Sequence, residues 1–234
     1  MIRLDKYLAH AKLGTRKEVK KLIRMGMIKV NGEVCFNDDM KIDENDSISY
    51  EDEIVSYQEY YYIMLNKPVD YLSSTIDEHY PSVLNLIYED FAYDLFPVGR
   101  LDVDTVGLLI LTNDGKLSHQ LLSPKKHVEK EYYVELKEAI TQKDIDTLEA
   151  GVQLDDEWTK PCKVIVKDER HVHIVICEGK FHQIKRMFHV VHNEVLYLKR
   201  IRMGEVWLDD VLEEGDYRPL TIDEIQALKG VTKK

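Results

Sequence analysis

Between Pro97 and Gly115 the chain reads PVGRLDVDTVGLLILTNDG, so several side chains able to do chemistry sit just before a strongly apolar segment. Gly99 suits a tight turn, Arg100 and Asp102 follow it, Asp104 and Thr105 come close behind, and residues 108–112 read as a buried strand closing at Asn113-Asp114-Gly115. A rigid strand is a good foundation for a loop carboxylate. An aspartate, with a reference pKa of about 3.9, is ionised at neutral pH and can act as a nucleophile or a base. Read alone, the run supports two uses of Asp102: presenting its carboxylate to a substrate, or capping a turn.

Other reactive side chains narrow the chemistry. His182, His189 and His192 cluster, but no carboxylate or thiol completes a metal site with them, and contact with nucleic acid accounts for them equally well. Cys35, Cys162 and Cys177 lie far apart without C-x-x-C pairing, which suggests neither a zinc knuckle nor a disulfide framework, and they read as buried or bystander thiols. From residue 180 to 202 six basic residues (Lys180, Lys185, Arg186, Lys199, Arg200, Arg202) face a single acid, Glu194, giving a phosphate-facing patch.

The elements that must position these groups fall into two segments. The 234 residues carry a formal net charge of -11, yet residues 1–29 hold nine basic residues against two acidic ones. Such asymmetry points to nucleic-acid contact rather than indiscriminate coating of it. Leu4, Leu8 and Ala11 recur at helical spacing until Gly14, and Thr15-Arg16-Lys17-Glu18 has the form of a capping box opening a second helix. Val19, Leu22 and Ile23 give that helix an apolar face, Arg16, Lys17, Lys20, Lys21 and Arg24 a basic one, and Gly26 a stop. Residues 28–34 then alternate about an Asn31-Gly32 hairpin turn. Acidic residues accumulate between Asp38 and Glu53, which reads as the outer edge of this unit and the approach to a linker ending near Gln58.

From about Tyr60 strand-like runs appear at residues 61–65, ended by Asn66-Lys67-Pro68, and at 108–112, 132–136, 162–166 and 171–176, with helical patterns near 82–88, 116–122, 143–150 and 182–191. Strands pair as often as they alternate with helices, so an α+β domain with a mixed, mainly antiparallel sheet is expected. The expected division is residues 1–58 and 59–234. No apolar run approaches the roughly 20 residues of a membrane span and the start lacks a secretion signal, so a cytoplasmic protein without membrane contact is expected.

Two families are resembled. The stretch RLDKYLAHAKLGTRKEVKKLIRMGMIKVNGE resembles the small RNA-binding domain named after ribosomal protein S4. The run GRLDVDTVGLLILTNDG resembles the signature of bacterial pseudouridine synthases of the RsuA type; Glu129-Lys130-Glu131-Tyr132-Tyr133-Val134 is similar to that family's Lys-x-Tyr strand, and EGKFHQIKRM at 178–187 to its last catalytic motif. Three ordered motifs extend the resemblance over essentially the whole chain. One departure stands out: where relatives place glycine soon after Asn-Lys-Pro, this chain has Val69-Asp70, and aspartate tolerates left-handed backbone better than most residues.

The resemblance implies site-specific isomerisation of a uridine in ribosomal RNA to pseudouridine, a chemistry that needs neither redox cofactor nor metal. It implies Asp102 as the essential carboxylate, attacking the sugar or removing a ribose proton to give a glycal. It implies Tyr132 as the active-site tyrosine, stacked on the uracil with its hydroxyl near carbon 5, while Tyr133 points away and packs. Lys185 matches the basic partner of the aspartate, with Arg186 one residue on as second candidate. Arg100 would fill the gap left by a flipped-out base, or else pair with Asp102 or Asp104. Substrate contacts are expected from Arg100 and Arg186 and, in the first domain, from Arg16, Lys17, Lys20, Lys21 and Arg24. The expected partner is ribosomal RNA or the assembling small ribosomal subunit, met by a monomer. Alternatives are a large-subunit target, a non-catalytic RNA-binding or ribosome-assembly protein of the same fold, and a nucleoside hydrolase, for which an RNA-binding domain would have no use.

Overall fold

The computed structural model describes residues 1–43 and 45–231. It contains two compact units, Met1–Tyr60 and the chain from Tyr61 onward.

In the first unit helix α1 (Leu4–His10) buries Leu4 and Leu8, and helix α2 (Arg16–Arg24) buries Val19 and Ile23. The capping box forms: Thr15 Oγ1 accepts from the Glu18 amide and the Glu18 carboxylate accepts from the Thr15 amide at 2.7 Å. Two of the four orphan amides at the helix start are thereby satisfied. Strands β1 (Ile28–Val30) and β2 (Glu33–Val34) form the hairpin, with Asn31 at φ +53° and Gly32 at φ +85°, the left-handed pair that a two-residue turn of this hand requires. The acidic stretch is more than an edge. It supplies Lys41–Ile42, which pairs with Ile2–Arg3, and strand β3 (Ile48–Tyr50), which pairs with β1, and it buries Ile42 and Ile48 in the core.

The second unit is built on one large sheet. Its strands are β4 (Tyr62–Lys67), β5 (Val106–Thr112), β6 (Lys130–Leu136), β7 (Lys163–Val166), β8 (His171–Ile176), β9 (Val195–Met203) and β10 (Tyr217–Pro219), and they lie in the order β7-β8-β6-β9-β5-β4-β10. Only the β9–β5 pair is parallel along this path, so the sheet is mixed and mainly antiparallel. Every residue of β4 and β5 is buried, as expected of central strands covered on both faces, which read as apolar runs and not as alternation. One face carries Ile63, Leu65, Leu109, Leu111, Tyr132 and Val134 against helix α5 (Gln183–Val190). The other carries Met64, Leu108 and Ile110 against helix α3 (Gly115–Leu122) and helix α6 (Ile222–Val231). A short helix α4 (Gln142–Ala150) packs on β7.

Several elements differ from expectation, strand β10 and helix α6 among them. The segment near 82–88 is a 3₁₀ turn, Val83–Leu86, followed by an extended Ile87. Residues read only as part of a basic patch, Lys199, Arg200 and Arg202, lie on the nine-residue strand β9, where Arg200 is buried. The helix expected near 116–122 is present as Gly115–Leu122, the Asp114 carboxylate capping it by accepting from the Leu117 amide at 3.0 Å. Among the described residues no helix is long and apolar enough to cross a membrane.

Candidate active site

The Asp102 loop is fixed from below. Pro68 ends β4 and leaves Lys67 at the strand's last position, fully buried. Its ammonium donates to four carbonyls: Pro68 at 2.9 Å, Asp102 at 3.1 Å, Val103 at 3.2 Å and Thr105 at 2.9 Å. Three of these belong to the loop, so a single cation gathers its backbone. Burial pushes the Lys67 ammonium down to about 8, against the pull of Asp104, Asp102 and Asp70 nearby. Ser73 Oγ holds Leu101 at both its amide (3.0 Å) and its carbonyl (3.1 Å), and the Asp70 amide donates to Val103 O at 3.0 Å. Asp70 does this at φ +63°, so the residue replacing glycine adopts the left-handed turn.

Strand β5 then runs parallel to β9 with Arg200 opposite Gly107. A Cβ at Gly107, where φ is +99°, would lie 2.3 Å from the Arg200 carbonyl oxygen, so only glycine permits this approach. The Arg200 side chain, 1% exposed, donates Nε–H to Leu108 O at 2.7 Å.

Opposite the loop, helix α5 brings its N-terminus to the Asp102 carboxylate. His182 precedes the helix at φ +47°, and Gln183 pins the turn before it by accepting from the Lys180 amide at 2.8 Å and donating to Glu178 at 2.8 Å. Asp102 thus lies between two cationic or potentially cationic groups: Lys185 Nζ is 3.8 Å from Oδ2 and His182 Nε2 is 3.7 Å from Oδ1. Lys185 also bonds Asp104. Desolvation raises the Asp104 carboxyl, but the hydrogen bond and charge of Lys185 outweigh this and hold it below its usual range. The Asp102 side chain keeps 27% of its surface accessible, so it is oriented without being sealed off.

A cavity of about 600 Å³ opens here, lined among others by Arg100, Asp102, Tyr132, His182, Lys185 and Arg200. Tyr132 is 7% exposed and faces Arg200 across the β6–β9 pair. Its neighbour Tyr133 lies on the opposite face, 5.8 Å from His171 and 6.1 Å from Tyr197. Arg100 is exposed and, among the described residues, makes no ion pair, so the pairing with Asp102 or Asp104 weighed above does not form. Arg186 does not line the cavity; it bonds Asp155 at 2.5 Å. Of the two adjacent basic residues, it is Lys185 that meets the carboxylate.

The basic helix of the first unit is partly neutralised. Buried Asp5 receives Arg16 at 2.9 Å and Lys20 at 3.5 Å, and Asp38 receives Arg24 at 3.1 Å. The Arg3 hydrogen bond first, and Arg16 after it, hold Asp5 well below the usual carboxylate range against the effect of burial. Lys17 and Lys21 are exposed and form no ion pair among the described residues. Sequence reading missed Lys67, Lys130, His182 as an aspartate partner and Arg200 as a cavity residue. The one signal available was a lysine closing an apolar strand just before proline.

Comparison with known proteins agrees with this geometry. The profile described as RNA pseudouridylate synthase matches residues 61–190 and that of the S4 domain residues 2–48. The chain is 41% identical to ribosomal small subunit pseudouridine synthase A of Haemophilus influenzae, over 97% of this chain and 99% of the relative. It is 44% identical to an uncharacterized RNA pseudouridine synthase, YtzG, of Bacillus subtilis, over 97% and 98% of the two chains. A solved structure described as a pseudouridylate synthase is 41% identical and superposes with a TM-score of 0.70, covering 97% of this chain and 100% of the other. The chain therefore belongs to the RNA pseudouridylate synthase family, as an S4-domain member of the RsuA type.

Proposed function

We propose that this protein converts one uridine of small-subunit ribosomal RNA to pseudouridine, with Asp102, Tyr132 and Lys185 as its catalytic residues. The observation that carries the reading is the Asp102 carboxylate, fixed by its backbone and paired at 3.8 Å with Lys185, at the edge of a cavity lined by Tyr132. The reaction is an isomerisation. The bond from ribose C1′ to uracil N1 breaks, the base turns, a bond from C1′ to C5 forms, and the C5 proton leaves as N1 gains one.

Asp102 acts on the ribose. Lys185 aims that carboxylate, and the Tyr132 ring holds the uracil while it turns. A stacked uridine reaches the cavity only when flipped out, at a cost of a few kcal/mol. Arg100, exposed at the cavity wall and without an ion pair among the described residues, is placed to fill the vacated stack. Arg16, Lys17, Lys20, Lys21 and Arg24, together with Arg186, contact phosphates, with Lys17 and Lys21, exposed and without an ion pair among the described residues, contributing most. The small-subunit target is supported by the name of the Haemophilus relative.

Pseudouridine mapping in ribosomal RNA from cells lacking the protein tests this. One small-subunit pseudouridine should disappear and return with the wild-type gene, but not with Asp102→Asn. Loss of a large-subunit pseudouridine instead would overturn the target, and no loss at all the activity.

A further inference from the structure

The cavity contains polar groups that the roles above leave unused. Arg200 spends its Nε–H on Leu108 O, yet its Nη2 is buried with no hydrogen-bond partner among the described residues. Thr105 Oγ1 is in the same condition, and both residues line the cavity. Arg200 lies on β9 opposite Gly107 of the parallel strand β5, and Thr105 immediately precedes β5, two residues before Gly107. Lys130, two residues before Tyr132 on β6, also lines the cavity, and its ammonium donates to Val128 O at 3.1 Å. Burial first and the Arg200 charge second push Lys130 down to about 8. A buried donor left without an acceptor is costly, more so when it is charged. A buried guanidinium N–H with no partner among the described residues, beside the half-buried Lys130 ammonium, is a donor set suited to a ligand.

Accepting the pseudouridine-synthase reading, on which this rests, we propose that Arg200 and Lys130 form the base-recognition floor of the cavity, donating to the carbonyl oxygens of the uracil, with the Thr105 hydroxyl completing the polar surround. Arginine and the lysine ammonium have no acceptor, so the floor matches a carbonyl and rejects the exocyclic amine that cytosine carries at position 4. The same floor suits the reaction. When the N1–C1′ bond breaks with the electron pair going to the base, negative charge spreads onto O2 and O4, and preformed buried cations stabilise it most in that state. Half a turn of uracil about its N3–C6 axis, which brings C5 to the place of N1, also exchanges O2 with O4. A donor that meets one carbonyl before the turn meets the other after it.

The test uses the full-length protein and target transcripts carrying uridine, 2-thiouridine or 4-thiouridine at the modified position, sulfur being a weak acceptor. Wild-type kcat/KM on uridine should exceed that on at least one thio transcript by about tenfold to a hundredfold, the range for a charge-assisted hydrogen bond. Arg200→Met should lose a similar factor on uridine and show little further loss on that thio transcript, because the contact is already gone. Should Arg200→Met fail to fold, Lys130→Met with the same three transcripts decides by the same criterion. Thio penalties undiminished in the variant would overturn the floor while leaving wild-type pseudouridine formation, and so the underlying reading, intact. Absence of wild-type product on uridine would overturn both.

Discussion

Two buried cations on neighbouring parts of the sheet do opposite things. Lys67 has four carbonyls around its ammonium and nothing left to offer, whereas Arg200, which lines the cavity, has one hydrogen bond and a buried Nη2 with no partner among the described residues. Both carry the cost of desolvated charge. In the first case the return is internal, a loop whose backbone cannot wander. In the second it waits for a ligand. Saturation of donors therefore separates a cation that holds the site from one that belongs to it.

Breaking the saturated member should have the largest effect of this pair. Lys67→Met leaves four inward carbonyls short of a donor and frees the Asp102 loop. Unfolding free energy should fall by about 2–3 kcal/mol, read by denaturant titration, with kcat reduced in parallel. Arg200→Met should instead lower activity with a smaller loss of stability. Equal losses of stability in the two variants would erase the distinction.

The titration of Lys67 sharpens it further. Its folded value near 8 lies below the ordinary 10.5, so on raising pH the native state releases this proton before the unfolded chain does. Between about pH 8 and 10.5 the unfolded chain binds the extra proton, and this group's contribution to stability rises with pH; below pH 8 the cost of the buried charge is present in full. The stability gap between wild type and Lys67→Met should therefore widen from pH 8 to 10, measured by chemical denaturation at each pH. A constant gap would show that Lys67 titrates normally.

Lys185 and Arg186, adjacent in sequence, extend the comparison to the rim. Lys185→Gln should cut kcat by about tenfold to a hundredfold, whereas Arg186→Gln, which loses the pair with Asp155 and a bond to the Phe181 carbonyl but no contact with Asp102, should change kcat less than about threefold. The smallest effects belong to the first unit. Lys17→Gln and Lys21→Gln should each lower the salt dependence of RNA binding by about one counterion. Arg16→Gln, already engaged with Asp5, should lower it less.

Much of this was legible in the chain. The capping box at Thr15 and Glu18, the Asn31-Gly32 hairpin, the strand over residues 171–176 and the loop carrying Asp102 depend on local rules, and each is present. What escaped depends on distant partners. Nothing near Lys67 in sequence announces that carbonyls of residues 102, 103 and 105 will surround it, and Arg200 looked like a surface charge because its burial requires the β5 backbone to come within reach over Gly107. Strand β10 contains Pro219 at a sheet edge, where proline is tolerated but a strand is hard to foresee. Helix α6, with its exposed polar residues, offers only a weak apolar stripe.

In the proposed reaction one carboxylate, Asp102, held in place by Lys67 and Lys185, carries the chemistry. Purified wild-type protein and Asp102→Asn should be compared on a ribosomal transcript tritiated at uridine C5, following release of tritium to water. The amide keeps the shape and loses the charge, so the account predicts matched thermal midpoints and a rate lower by on the order of 10⁴-fold. Tritium release by Asp102→Asn at the wild-type rate would contradict it.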